Sequence, residues 1–323
     1  MENKRLKQAA PFLVAAASIL WGVLFVFVRK LSEGGFSAMD IVCIRAYGSV
    51  FFLFPMLFLM NRRAMRIKLR DCWCFVGTGV FSIVFFSFCF FRNVELSSAA
   101  FASILMYTSP VWVTIFSAIF FQEKWNRQKA VALLMALVGC IFVSGVLNGI
   151  SISGSDGVAF TNGIAIGRVS PLGLMLGLGS GIGYGLYSIF GRFALDKGYA
   201  PMAVTAYTFL FACVGVLPFV NAQAIIQRFA DNPGLLIWAL CISFFSTAMA
   251  FLLYTLGLSA MEAGRAAVLA TLEPIITAIV GTLFYKEELS VTMGIGIVLV
   301  LVSSIIISRN NKEETIRREK SDG

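Results

Sequence analysis

The stretches Ala99–Trp125, AAFASILMYTSPVWVTIFSAIFFQEKW, and Ala263–Ser290, AGRAAVLATLEPIITAIVGTLFYKEELS, follow one pattern. Shifted by 164 residues, Leu105 falls on Leu269, Pro110 on Pro274, Phe120 on Phe284 and Glu123 on Glu287. A shift of 163 carries Trp21-Gly22 onto Tyr184-Gly185, Arg29 onto Arg192, Gly35 onto Gly198 and Pro55 onto Pro218. Aliphatic matches arise easily between apolar helices. Prolines and a glutamate held in register carry more weight. The chain therefore reads as two copies of one unit, 9–146 and 171–308, joined by an extracytoplasmic linker over 147–170 and followed by a cytoplasmic tail over 309–323.

Composition says where these units reside. Of 323 residues, 59% are apolar and 13% are charged, and the mean hydropathy is +0.86. A soluble domain carries about 25% charged residues, so a water-facing surface cannot be built from this chain. A helix crosses the hydrocarbon core with about 20 mostly apolar residues. Ten runs qualify, near 9–28, 40–60, 72–91, 98–120, 128–146, 171–191, 201–220, 235–256, 264–284 and 291–308. The first follows Lys4, Arg5 and Lys7 as a signal peptide would, but it runs into Arg29 and Lys30 without a small-residue cleavage site and reads as an uncleaved span. With the N-terminus in the cytoplasm, 19 Lys and Arg fall in cytoplasmic segments and 6 in outer ones. Positive charge concentrates on the cytoplasmic side of membrane proteins, which predicts a multi-pass plasma (inner) membrane protein with both termini inside. Five spans per copy is an odd number, so the second copy enters the bilayer from the opposite side. The predicted fold is all-α integral membrane, ten transmembrane helices in two inverted five-helix repeats.

Several chemistries are excluded. The chain has no His, which removes the usual general base and most zinc sites. Its seven cysteines lie mostly within apolar runs and form no Cys-x-x-Cys pair, so they read as small packing residues rather than as disulfides or metal ligands. The formal charge of +9 is dispersed among short loops, not gathered into a nucleic-acid surface. Gly177–Gly185, GLGSGIGYG, does not match G-x-G-x-x-G and lies in a span, where small residues permit close helix approach or flexing. No Walker A pattern occurs. No cofactor, metal or catalytic residue is expected.

Both quoted stretches, with small residues, a mid-helix proline and a glutamate opening the last helix of each unit, resemble the signature of the drug/metabolite transporter superfamily, EamA type. Arg45, after Phe36-Ser37 and Asp40, resembles an arginine frequent at that place. The resemblance covers nearly the whole chain. It implies a ten-helix secondary transporter, with export of a small metabolite such as an amino acid by alternating access. Inverted repeats are a hallmark of such carriers. A passive channel or a membrane-embedded structural or interaction protein is the alternative, and an enzyme is not expected. The expected partners are a small-molecule substrate, protons as a coupling ion, the lipid bilayer and a second copy of the chain as a homodimer.

The candidate site residues emerge from burial cost. Glu273 lies deep in its span, where an isolated charge costs roughly 2.5–3.5 kcal/mol; it reads as a proton- or amine-binding group, or as a structural acid paired with Arg45. Arg45 reads as a carboxylate ligand or a snorkelling helix-end cation. Trp21, Tyr107 and Tyr184, with Tyr187 and Tyr254, are candidates to line an amphipathic cavity. Pro110 and Pro274 are helix-break candidates, since proline removes a backbone donor. Ser109-Pro110 stands where the second copy has Glu273-Pro274, which makes the pair asymmetric. Glu123 and Glu287 are expected to cap the span that each precedes. In the linker, Val158–Thr161 and Ile164–Gly167 are expected to pair around Asn162-Gly163. The tail from Arg309 is expected to be disordered near the anionic leaflet.

Overall fold

The structure, a computed structural model, describes residues 2–97, 99–144, 150–152, 158–160, 171–285 and 290–321. Among these, nine helices are long and apolar enough to cross a bilayer: α1 (Arg5–Glu33), α2 (Ala38–Met60), α3 (Leu69–Leu96), α4 (Phe101–Phe121), α6 (Pro171–Asp196), α7 (Pro201–Phe219), α8 (Leu235–Leu258), α9 (Ala263–Phe284) and α10 (Val291–Ser308). Between α4 and α6 lies α5 (Arg127–Val143), of 17 residues. At 1.5 Å per residue it spans about 26 Å, close to the hydrocarbon thickness, and it packs along α10. The protein is an α-helical membrane protein with one short strand pair outside the spans.

Local chemistry sets the corners. At the start of α2, Ser37 accepts the Asp40 N–H and Asp40 accepts the Ser37 N–H, a reciprocal capping box. The turn before it needs Gly35 at φ 85, and the turn between α6 and α7 needs Gly198 at φ 87. These two glycines are partners in the sequence repeat, and both adopt the left-handed conformation that glycine reaches without steric cost.

The two turns also reveal the inversion. At the first end of α2, Asp40 pairs with Arg228 at 3.4 Å and Phe36 packs on Phe229 at 4.8 Å, so the Gly35 turn meets the segment before α8. At the other end of α2, the loop into α3 meets the Gly198 turn. There Asp71 takes Lys197 at 2.7 Å and the Tyr199 hydroxyl at 2.9 Å. Burial, together with the hydrogen bond to Asp71, pushes the Tyr199 phenol above its ordinary value. Equivalent turns of the two copies thus sit at opposite ends of one spanning helix, which is what inverted repeats require.

Besides α1, which is interrupted at Val23 between Glu2–Gly22 and Leu24–Glu33, two corresponding spans in each copy are irregular. α4 is broken between Ala99–Met106 and Ser109–Phe121, and α9 between Ala263–Ala270 and Glu273–Tyr285. α3 and α8 carry π-helical segments, Gly77–Phe85 and Phe244–Met249, the second falling within the first under the 164-residue shift. Wider π turns are rare and concentrate at functional sites.

Outside the spans, Val158–Phe160 pairs antiparallel with Ile150–Ile152, which precedes it; the expected partner stretch 164–167 lies outside the described residues. The helix of α10 continues to Ser321, so the charged tail extends it instead of opening into coil. The run Lys312–Lys320, rich in Glu, Lys and Arg, consists mostly of good helix formers.

Gly198 has nothing within 4 Å of an added Cβ. Gly198→Ala therefore isolates the backbone term, and the expected cost is about 1–2 kcal/mol, read as a lower melting temperature of the purified protein with no change in helix content.

Candidate functional site

The breaks in α4 and α9 face one cavity of about 240 Å³ at the seam between the copies. Each break is built alike. In α4 the Thr108 N–H reaches only to Leu105 O, and in α9 the Thr271 and Leu272 N–H groups reach only to Val268 O and Leu269 O. These tight turns end one half-helix, and a proline at the second position of the next, Pro110 or Pro274, starts the other. Proline suits that place because the first-turn N–H has no helical partner. The prolines therefore open half-helices rather than kink continuous ones, and neither borders the cavity itself.

Glycine lets the flanking helices reach the breaks. A Cβ on Gly22 of α1 would lie 2.4 Å from Ile276 Cβ and 3.0 Å from Glu273 O. Its repeat partner, Gly185 of α6, would place one 2.9 Å from Val113 and 3.3 Å from Ser109 O. The glycine-rich run of α6 thus serves close packing on broken α4.

The five candidates Glu273, Arg45, Trp21, Tyr107 and Tyr184 all line this cavity, as do Tyr187 and Tyr254. The two charges do not pair: among the described residues no ion pair joins them. Arg45 Nε donates to Thr247 Oγ1 at 3.0 Å, in the π segment of α8. The guanidinium is thus turned inward, away from the helix-end water that snorkelling would seek. Glu273 accepts the Tyr184 hydroxyl at 2.8 Å. Each charge is held by a neutral hydroxyl, leaving further hydrogen-bonding capacity on both. The repeat makes this site from unlike halves, since the partner of Arg45 is Thr208 and that of Glu273 is Ser109. Trp21 packs edge-on against Tyr184 and Phe251 and leans on Tyr254 at 5.3 Å. It is 6% exposed, and its indole N–H has no partner among the described residues.

The cavity is closed toward the face that carries the 61–71 loop and the Gly198 turn, hereafter the basic face. There the Tyr187 and Thr255 hydroxyls meet at 2.6 Å, and so do those of Ser188 and Tyr254. Beyond them Arg192 Nη1 donates to Met261 O at 3.1 Å. Toward the other face the walls are apolar, with Phe25, Val28, Phe90 and Phe91.

The EamA-like transporter family matches at residues 8–145 and again at 171–309. The chain belongs to that family. An uncharacterized transporter of Archaeoglobus fulgidus is 25% identical over 92% of this chain and 98% of its own length. An uncharacterized inner membrane transporter of Salmonella typhimurium is 22% identical over 93% and 95%. A crystal structure with 15% identity shares the fold at a TM-score of 0.72, covering 94% of this chain and 98% of that one.

Two features of this EamA-like protein escaped sequence reasoning. The α3 wall, with Ser82 and Phe86, carries no charge to single it out, and Gly77-Thr78-Gly79 was its only local signal. Glu123 caps a helix, but not the next one in the chain: it accepts the Ala263 N–H at 2.7 Å and so caps α9. Its repeat partner Glu287 lies outside the described residues.

Removing the hydroxyl that holds Arg45 leaves a buried donor unsatisfied. Thr247→Val is expected to cost about 1–3 kcal/mol, measured as a lower melting temperature, while Thr247→Ser retains most of the stability.

Proposed function

We propose that this EamA-like protein is a secondary carrier that exports a small amphipathic metabolite, amino acids first, by alternating access across a plasma (inner) membrane with both termini in the cytoplasm. The observation that carries the reading is the pair of unlike charges, Arg45 and Glu273, standing apart in one cavity at the seam of two inverted repeats. A zwitterion satisfies both at once, its carboxylate on the guanidinium by a charge-assisted bond and its amine on the carboxylate. The unpartnered Trp21 N–H supplies a further donor, and the surrounding rings suit an apolar side chain.

Charge supports this orientation. The basic face holds most loop Lys and Arg, so the positive-inside rule assigns it to the cytoplasm. The cavity, closed on that face, then belongs to an outward-directed state. Protons act at Glu273: a protonated carboxyl releases a bound amine, so proton entry from outside and substrate exit are linked at one group.

Proteoliposomes preloaded with pooled amino acids and challenged with one labelled member at a time test this reading. Saturable counterflow of one group is the expected result. Its absence from folded, inserted protein removes amino acids as substrates, and unsaturable conductance replaces the carrier with a channel. Glu273→Gln is expected to abolish the pH dependence of net transport and, by removing the counter-charge of the bound amine, to weaken substrate binding in exchange; wild-type pH dependence in the variant overturns the assignment. Pro110→Ala and Pro274→Ala let helix propagate through the breaks, and turnover is expected to fall roughly tenfold or more with membrane yield unchanged.

A further inference from the structure

Four charged side chains converge on the basic face where α4 and α5 of the first copy meet α8 and α9 of the second. After Phe121 the chain turns through Gln122 at φ 53, which aims Glu123 across the seam. The Glu123 carboxylate accepts the N–H groups of Ala263 at 2.7 Å and Gly264 at 3.3 Å, the first two residues of α9. Lys129 of α5 lies 3.4 Å from Glu123 and 2.8 Å from Glu262, and Glu262 lies 2.9 Å from Arg265. The Lys129, Glu123 and Arg265 side chains are only 4%, 8% and 3% exposed.

Two acids and two bases cancel, and the positive end of α9 adds to the hold on Glu123. Such a buried network adds little net stability over an apolar replacement, because desolvation offsets attraction. Separating its members is another matter, since each then stays buried without its counter-charge or must be fully rehydrated. The contact is therefore favourable when closed, and open only once water floods this face. It ties one copy to the other beneath the hydroxyl pairs that floor the cavity, so any rocking that opens the cavity to the basic face must pull it apart.

In sequence the repeat does not carry the same cluster. At the shifted positions it has Met293 for Lys129, Ser98 for Glu262 and Phe101 for Arg265, and of the four only Glu287 for Glu123 is retained.

We propose that Glu123, Lys129, Glu262 and Arg265 form a charge latch between the two copies that holds the cavity shut toward the basic face and biases the resting protein toward opening on the other side. The latch rests on the alternating-access reading, and its test needs no substrate. A reporter, Ser87→Cys on the cavity wall, is placed in the full chain in right-side-out and inverted membrane vesicles. A membrane-impermeant maleimide is applied, and labelling is counted above that of the parent without the reporter. The reporter alone is expected to label from the face opposite the basic one.

Adding Lys129→Gln or Glu262→Gln is expected to raise labelling from the basic face about tenfold, a change worth about 1.4 kcal/mol, and to lower it from the other. This opposed change is one that mere loosening of the fold does not produce. Should Lys129→Gln fail to fold, Glu262→Gln, whose side chain is 27% exposed, carries the test. One-sided labelling that no folded variant shifts overturns the latch and leaves the carrier standing. A reporter labelled equally from both faces, or from neither, overturns the carrier reading and the latch with it.

Discussion

Inside a bilayer no water satisfies a loose backbone N–H or C=O, and this requirement governs the whole architecture. Ordinary spans meet it with unbroken helical hydrogen bonds. Broken spans are tolerated only against protein or a polar cavity, so the breaks in α4 and α9 had to meet at one interior place. There the tight turns at Thr108 and Thr271 shorten the unpaired stretch, and Pro110 and Pro274 contribute no orphan donor. Glycines 22 and 185 then let α1 and α6 press against the broken ends. The cavity arises from the breaks, and the breaks are admissible because the cavity is there.

The repeat supplies geometry in pairs and chemistry singly. Broken spans, π segments, left-handed glycines and close-packed crossings recur in both copies. The cavity charges do not recur. Arg45 has Thr208 as its partner and Glu273 has Ser109, so each copy gives the cavity one charge of opposite sign. Inversion brings these two positions to a common seam without bringing them into contact. A direct pair would neutralise both groups; the Thr247 and Tyr184 hydroxyls instead steady each one separately.

Much of this was legible in the chain itself. Spans can be read from run length because hydrocarbon thickness is a fixed demand, and the observed helices keep close to the predicted limits, with α10 continuing into the tail. Glu273 and Arg45 stood out because a charge in a span is rare and costly. The direction of the Glu123 cap was not legible, since the next helix in sequence and the neighbouring helix in space both offer free N–H groups. The π segments were hidden as well, because an extra residue in a turn leaves an apolar run looking unchanged. The paired strand Ile150–Ile152 lay outside the alternation that pointed to a hairpin.

What the sequence alone determined, then, is whatever depends on a residue's own transfer cost and on counting. That covers membrane residence, ten spans, two copies of opposite sense, and which side chains are too polar to face lipid. Tertiary structure decided the pairings: Arg45 with Thr247 rather than Glu273, Glu123 with α9 rather than α5, and aromatic rings gathered around one indole. The physical reason is range. Partition into a bilayer is a property of each segment by itself, whereas a hydrogen bond or an ion pair depends on which helices stand side by side, and the Glu123–Ala263 and Arg45–Thr247 partners are 140 and 202 residues apart.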